Sequence, residues 1–194
     1  SQGLTHTSPV VAISGEKDGI AADIVFLMTE DGEENIIGFT NNITNPEGGT
    51  HVTGFKSAFA KLINNYARNE LGTLKEKDSN LTGADIRSGM QAIISVKHPD
   101  PQFEGQTKTK LSNTDVSKAI DDIVKEQLTV YFDRNYDVLK DIVDRAVALS
   151  KRKALEKSKI NINKFSFEGN GKLAKQESSD SSKCEIFIVE GDSA

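Results

Sequence analysis

The chain has 194 residues, of which 36% are hydrophobic and 27% are charged, and its formal net charge is -5 at pH 7. The length suits one generous domain or a domain with part of a second, and the negative balance argues against a surface covered throughout by nucleic acid. A single cysteine, Cys184, excludes an internal disulfide, and with three scattered histidines it offers neither a metal site nor a nucleophile pair. No apolar run approaches the roughly 20 residues of a membrane span, so we expect a cytoplasmic protein without membrane contact.

The N-terminal part of the chain predicts three strands. Runs of β-branched and aromatic residues at Pro9 to Ser14 and Asp23 to Met28 flank turn-forming residues at Gly15 to Gly19. After a second turn, the segment from Asn35 to Ile43 alternates approximately between apolar and polar residues. Three strands in sequence favour an antiparallel meander with one buried face.

Glycine and proline then separate this sheet from the clearest helical pattern. The segment from Asn45 to Thr50 contains Gly48 and Gly49, and it is followed by apolar residues at helical spacing: Phe55, Phe59, Leu62, Ile63 and Tyr66. Such a stripe predicts a helix that covers the sheet. Two glycines before a helix can cradle a phosphate. Because no Walker pattern with its Lys-Ser/Thr pair is present, we interpret them as a tight turn.

The segment from Pro99 to Leu111 is the best candidate for chemistry. A polar loop at Gly72 to Asp85 leads to a β-branched run, Ala92 to Val96, that predicts a strand in the interior of the sheet. Two prolines and a glycine then predict an exposed, ordered loop. The side chains of Gln106 and Lys108 leave two interpretations open, a solvated turn and a contact with phosphate oxygens outside the domain.

Two helices are predicted after this loop. Ser112 to Asp115 has the form of a capping box, and an apolar stripe follows it: Val116, Ala119, Ile120, Ile123, Gln127 and Tyr131. The second helix begins after Asp133 to Asn135 and is expected to end near Lys159. The basic run from Lys151 to Lys164 contains one acid, Glu156, which leaves open a solvated helix end or a module that binds DNA phosphates.

Short motifs in a fixed order extend over nearly the whole chain. They include Glu16-Lys17-Asp18-Gly19, Phe39-Thr40-Asn41-Asn42-Ile43, Glu47-Gly48-Gly49-Thr50-His51, Pro99-Asp100-Pro101, Gln106-Thr107-Lys108, Gly171-Lys172-Leu173-Ala174 and Val189-Glu190-Gly191-Asp192-Ser193-Ala194. In these motifs the chain resembles the ATPase-bearing B subunits of bacterial type IIA DNA topoisomerases, the family of DNA gyrase and topoisomerase IV.

The resemblance implies a fold and a domain division. The fold is α/β (α+β), of the ribosomal S5 domain 2-like type, with a mixed sheet covered by helices and a long C-terminal helix. Residues 1–155 are then the transducer domain, residues 156–183 a linker, and residues 184–194 the first strand of a Toprim domain. The polar composition before Cys184 and the apolar run that begins there suit the last two assignments.

The resemblance also implies a site shared with another domain. Lys108 would contact the γ-phosphate of ATP bound in the adjacent GHKL ATPase domain, with Gln106 as a companion polar contact. Glu190 matches the Toprim glutamate, an acid or base and Mg²⁺ ligand in a site that this sequence leaves incomplete. ATP and Mg²⁺ are therefore expected in the whole subunit and neither in this chain, which should be inactive alone. The implied partners are the GHKL domain, the A-type subunit, DNA and a second copy of the subunit.

Overall fold

The computed structural model describes residues 8–168. The chain separates into two compact units, Ser1–Lys151 and Arg152–Ala194. The first unit contains a five-stranded sheet and the helices that pack on it. No helix between residues 8 and 168 combines the length and the apolar character needed to cross a bilayer.

The sheet is mixed, as the resemblance implied. Its strands are β1 (Val11–Lys17), β2 (Ile20–Met28), β3 (Asn35–Thr40), β4 (Ile43–Asn45) and β5 (Met90–Lys97). Their order in space is β1-β2-β5-β3-β4. β5 is antiparallel to β2 and parallel to β3, so the last strand within residues 8–168 is the central one of the sheet. The predicted interior position of β5 is therefore confirmed.

The predicted meander is wrong, because β5 separates β2 from β3. A parallel pair such as β3 and β5 needs a crossover connection, and residues 46–89, including the helix that follows β4, supply it. The two-residue turns Asp18–Gly19 and Asn41–Asn42 have positive φ angles at both positions, as the tight turns of antiparallel hairpins require. Because the first turn is this short, β1 continues to Lys17 instead of ending at the predicted Ser14.

The helices are α1 (Thr50–Asn65), α2 (Gly83–Ile86), α3 (Thr114–Arg134) and α4 (Tyr136–Glu168), with a π-helical turn, Tyr66–Glu70, after α1. The predicted stripe of α1 is buried throughout. In the second half of α3 the predicted stripe is only partly buried at Gln127 and Tyr131. The buried residues there are Val124, Leu128 and Phe132. α4 extends past its predicted end near Lys159 and through residues 156–168 of the expected linker. No proline or glycine interrupts the sequence between Tyr136 and Gly169, so nothing in the sequence ends the helix earlier.

The core lies between one face of the sheet and helices α1 and α3. Phe26 of β2 packs edge-on against Phe59 at a centroid distance of 5.3 Å, and Phe55 stacks on Phe59 at 5.6 Å. Gly15 lies where α3 approaches β1, since a Cβ atom there would be 2.9 Å from the Ile123 side chain. This packing leaves the polar ends of the strands, and the loops after them, outside the core.

His51 is a buried histidine in the first turn of α1. Neither ring nitrogen has a hydrogen-bond partner within the described part of the chain. The ring lies over β3, so closely that a Cβ atom on Gly38 would be 2.2 Å from Nε2. Burial disfavours the charged imidazolium and lowers the pKa of His51 from 6.5 to about 4.

The buried imidazole predicts a pH dependence of stability. Between pH 6.5 and about 4 the unfolded chain binds a proton at His51 that the folded chain does not. The free energy of unfolding should therefore fall as the pH falls through this range, by about 3 kcal/mol from this residue. Urea unfolding of the chain and of His51→Leu at several pH values measures the effect. The leucine variant should show a shallower decline, and parallel declines in the two proteins would contradict the assignment.

Candidate functional site

The segment from Pro99 to Leu111 connects β5 to α3 as an ordered loop. Its two arms pair with each other, because the Glu104 amide donates to the Lys110 carbonyl and the Ser112 amide to the Gln102 carbonyl, both at 2.9 Å. The arms leave residues 105–109 as the tip of the loop. Gln106 and Lys108 are exposed there, which confirms that part of the prediction.

His98 fixes the start of the loop. Its backbone amide donates to Asn41 Oδ1 and its carbonyl accepts from Asn41 Nδ2, both at 2.9 Å. In the buried ring, Nδ1 accepts from the Asp100 amide at 3.0 Å, so the proton is on Nε2, which donates to Asp115 Oδ2 at 3.0 Å. The hydrogen bond from His98 lowers the pKa of Asp115. The histidine thus connects the end of β5 to the first turn of α3.

Asn113 fixes the other end of the loop. It is the N-cap residue of α3, yet its side chain makes no capping hydrogen bond. Its Oδ1 accepts from the Gln102 amide at 2.6 Å, and its Nδ2 donates to the Asp100 carbonyl at 3.2 Å. The predicted capping box, with Ser112 as the cap and Asp115 three residues later, is therefore wrong, because the N-cap residue is Asn113 and its side chain binds the backbone of the loop.

The double-glycine turn before α1 packs directly against the loop. The Leu111 amide donates to the Gly48 carbonyl, and the Leu111 carbonyl accepts from the Thr50 amide, both at 3.1 Å. The Gly48 amide donates to the Asn45 carbonyl at 2.9 Å, which confirms the tight turn. A Cβ atom on Gly49 would lie 2.4 Å from the Leu111 carbonyl oxygen. The glycines therefore permit the close approach of the loop, and the first amide of α1 is occupied by it.

Lys108 combines a constrained backbone with an exposed side chain. Its φ angle is +55°, a left-handed conformation that costs an ordinary residue roughly 1 kcal/mol. The Lys108 carbonyl accepts a 2.8 Å hydrogen bond from Nδ2 of Asn45. Lys110, in the same loop, forms an ion pair with Glu104 at 3.0 Å. Within residues 8–168 the Lys108 ammonium has no such partner, and it is available to an anion.

The arrangement suits binding of an external anion. An ammonium on a loop with a fixed backbone is a point charge that can approach phosphate oxygens. Among the described residues, no group of three His, Cys, Asp or Glu side chains could hold a metal ion. Glu190, the predicted Toprim acid, lies outside the described residues.

Sequence reasoning did not identify the residues that hold the loop in place. Asn45, Asn41 and His98 contact groups that are 57 to 63 residues distant in the sequence. The only local signal was the presence of polar residues directly after the apolar runs of β3 and β5. That pattern indicates strand ends, and it does not say which strand ends meet.

Comparison with known proteins identifies the family. Residues 2–161 match the model of the DNA gyrase B family. The chain belongs to this family. It is 46% identical to the B subunit of the type 2 topoisomerase of Aquifex aeolicus and 45% identical to the B subunit of the DNA gyrase of Clostridium acetobutylicum, each over 190 residues and 95% of the chain.

A solved gyrase B structure has the same fold. The chain superposes on the 43K ATPase domain of Thermus thermophilus gyrase B with a TM-score of 0.74 and 32% identity, over 81% of this chain and 43% of that one. The chain spans only 24% of the length of the Aquifex aeolicus relative and 30% of that from Clostridium acetobutylicum. Membership of the gyrase B family is thus established for a segment that corresponds to part of those proteins.

The close contact between the loop and the double-glycine turn predicts that two glycine substitutions lower the free energy of unfolding by different amounts. Gly49→Ala should lower the free energy of unfolding by about 3 kcal/mol, because the new methyl group meets the Leu111 backbone. Gly105→Ala is the matched control, since Gly105 also has a positive φ but no atom within 4 Å of the added Cβ. It should cost only about 1 kcal/mol. Urea unfolding measures both, and equal costs would contradict the close packing at Gly49.

Proposed function

We propose that residues 1–155 form the transducer domain of the B subunit of an ATP-dependent type IIA DNA topoisomerase. In this proposal the domain couples ATP binding and hydrolysis in an adjacent GHKL domain to movement of the DNA gate, and so to supercoiling or decatenation. Membership of the gyrase B family supports it. The observation that carries it is the exposed Lys108 ammonium on a loop whose backbone is hydrogen-bonded at both ends and at its tip.

In this proposal Lys108 contacts the γ-phosphate of the nucleotide, and Gln106 provides a companion polar contact. Transfer of the γ-phosphoryl group to water spreads negative charge over its oxygens, and a positioned cation lowers the energy of that charge. The fixed backbone supports this role, because the loop does not have to be ordered when the nucleotide binds.

The same proposal gives a series of contacts through which a movement of the loop, caused by the nucleotide, can be transmitted to α4. The loop follows one end of β5, and at the other end the Gly89 carbonyl accepts from the Thr29 amide at 2.7 Å. The Thr29 carbonyl accepts from Nη2 of Arg145 in α4 at 2.6 Å. If Lys108 moves toward the γ-phosphate and returns after hydrolysis, β5 and Thr29 connect this movement to α4 through continuous contacts.

We further propose the wider setting of the whole subunit. Residues 156–183 connect the transducer domain to a Toprim domain that begins at residues 184–194. There Glu190 would bind Mg²⁺ and act as an acid or base in DNA cleavage. This assignment rests on the motif alone, because Glu190 lies outside the described residues. The partners would be the A-type subunit, DNA and a second copy of the B subunit, in the cytoplasm.

Lysine substitutions in the full-length subunit test the role of the loop. Lys108→Ala should lower the turnover number for ATP by about 100-fold, while nucleotide binding is partly retained. Lys110→Ala is the matched control, because Lys110 is two residues away and already paired with Glu104; its turnover should stay close to that of the unmodified subunit. A steady-state ATPase assay measures both. Unchanged turnover in Lys108→Ala would remove this residue from the reaction.

A second candidate function is binding of DNA phosphates by the basic region from Lys151 to Lys164. The observation that favours it is the exposure of Lys151, Arg152 and Lys157 on α4. Arg152 is partly neutralised by Glu156 at 3.1 Å, which weakens the candidate. The two functions are compatible in a whole enzyme that acts on DNA.

The DNA-binding candidate predicts a strong effect of salt. Three neutralised phosphates give a slope of about -3 in a plot of log affinity against log salt concentration, because counterions are released. Gel shifts of this chain at several ionic strengths measure the slope. Lys151→Gln combined with Lys157→Gln should make it shallower by about two. The absence of DNA binding at low salt would exclude the basic region as an independent DNA-binding module.

A further inference from the structure

We propose that Asn45 is a positioning residue for Lys108. This inference rests on the proposed contact between Lys108 and the γ-phosphate. Asn45 ends β4 and lies 63 residues before Lys108 in the sequence. It does not itself face the nucleotide in this proposal. Its role is to hold the Lys108 backbone in the conformation that directs the lysine side chain.

The Asn45 side chain has one orientation that satisfies its polar atoms. It is 1% exposed, and the Thr40 side chain beside it is also fully buried. The Thr40 hydroxyl donates to Asn45 Oδ1 at 2.7 Å, and Asn45 Nδ2 donates to the Lys108 carbonyl at 2.8 Å. A flipped amide would place Oδ1 against the Lys108 carbonyl oxygen and leave both acceptors unsatisfied. The buried threonine therefore orients the donor toward the loop.

Lys108 needs such a partner because its backbone conformation is unfavourable. A lysine at a φ of +55° has no intrinsic preference for this geometry, whereas the glycine at position 105 of the same loop adopts a positive φ without strain. Without the hydrogen bond from Asn45, the backbone of Lys108 can relax to an ordinary extended or helical conformation. Such a change rotates the Cα–Cβ bond and moves the ammonium away from its position.

The contacts of Asn45 are separate from those that hold the base of the loop. His98 and Asn113 bind the arms, and Gly49 packs against Leu111. Besides the hydrogen bond from Asn45 to Lys108, the backbone at the tip accepts one from the Glu47 amide, at the Thr109 carbonyl and a distance of 3.1 Å. Loss of the Asn45 donor is therefore expected to change the tip while the arms of the loop stay in place.

A double-mutant comparison in the full-length subunit tests the inference. Asn45→Asp keeps the shape and the acceptor for Thr40 but removes the donor to Lys108. If the buried carboxylate of Asn45→Asp prevents folding, Asn45→Ser replaces it in the same experiment, because serine keeps a small polar group but is too short to reach the Lys108 carbonyl. Each should lower the turnover number for ATP roughly 10- to 100-fold, because a small misplacement of a catalytic group has an effect of this size. The affinity for ADP, which lacks the γ-phosphate, should stay unchanged.

The decisive comparison is the same substitution in a Lys108→Ala background. If Asn45 acts through Lys108, the Asn45 variant should have no further effect on turnover there. An equal reduction in both backgrounds, a reduced affinity for ADP, or unchanged turnover with Lys108 intact would overturn the positioning role. A failure of the proposed function gives a different result from a failure of this inference. If Lys108 has no role in hydrolysis, the Lys108→Ala subunit hydrolyses ATP at the unmodified rate.

Discussion

The parallel pairing of β3 with β5 is the constraint on which the site depends. The pairing aligns Thr40 with Val96, so the segments that follow the two strands emerge at the same edge of the sheet. One segment is the hairpin and turn from Asn41 to Gly49, and the other is the loop from Pro99 to Leu111.

Three asparagines give the loop its shape through its backbone. Asn41, Asn45 and Asn113 each donate to a carbonyl of the segment from His98 to Lys108, and two of them also accept from an amide there. Asn45 and Asn113 are buried, and a buried amide without such bonds costs free energy. The side chains of Gln106 and Lys108 at the tip are exposed. Because the backbone is held, Lys108 can occupy a left-handed conformation for which the surrounding contacts compensate.

Local patterns predicted the elements of this fold, while contacts distant in sequence decided the rest. The stripe of α1, the interior strand β5 and an exposed loop bearing Gln106 and Lys108 followed from periodicity and turn residues. The sheet order did not, because strand pairing is set by tertiary packing. The side chain of Asn113 has a strong capping preference, yet in this fold it binds Gln102 and Asp100 instead. The phosphate contact of Lys108 came from the family resemblance and stays a prediction.

The central proposal is that Lys108 contacts the γ-phosphate of the nucleotide. The most direct measurement is the ratio of two affinities in the full-length subunit, one for ADP and one for a non-hydrolysable ATP analogue, with and without Lys108→Ala. The substitution should weaken binding of the triphosphate analogue and leave that of ADP unchanged. An equal loss for both nucleotides, or a preserved preference for the triphosphate, would contradict the claim.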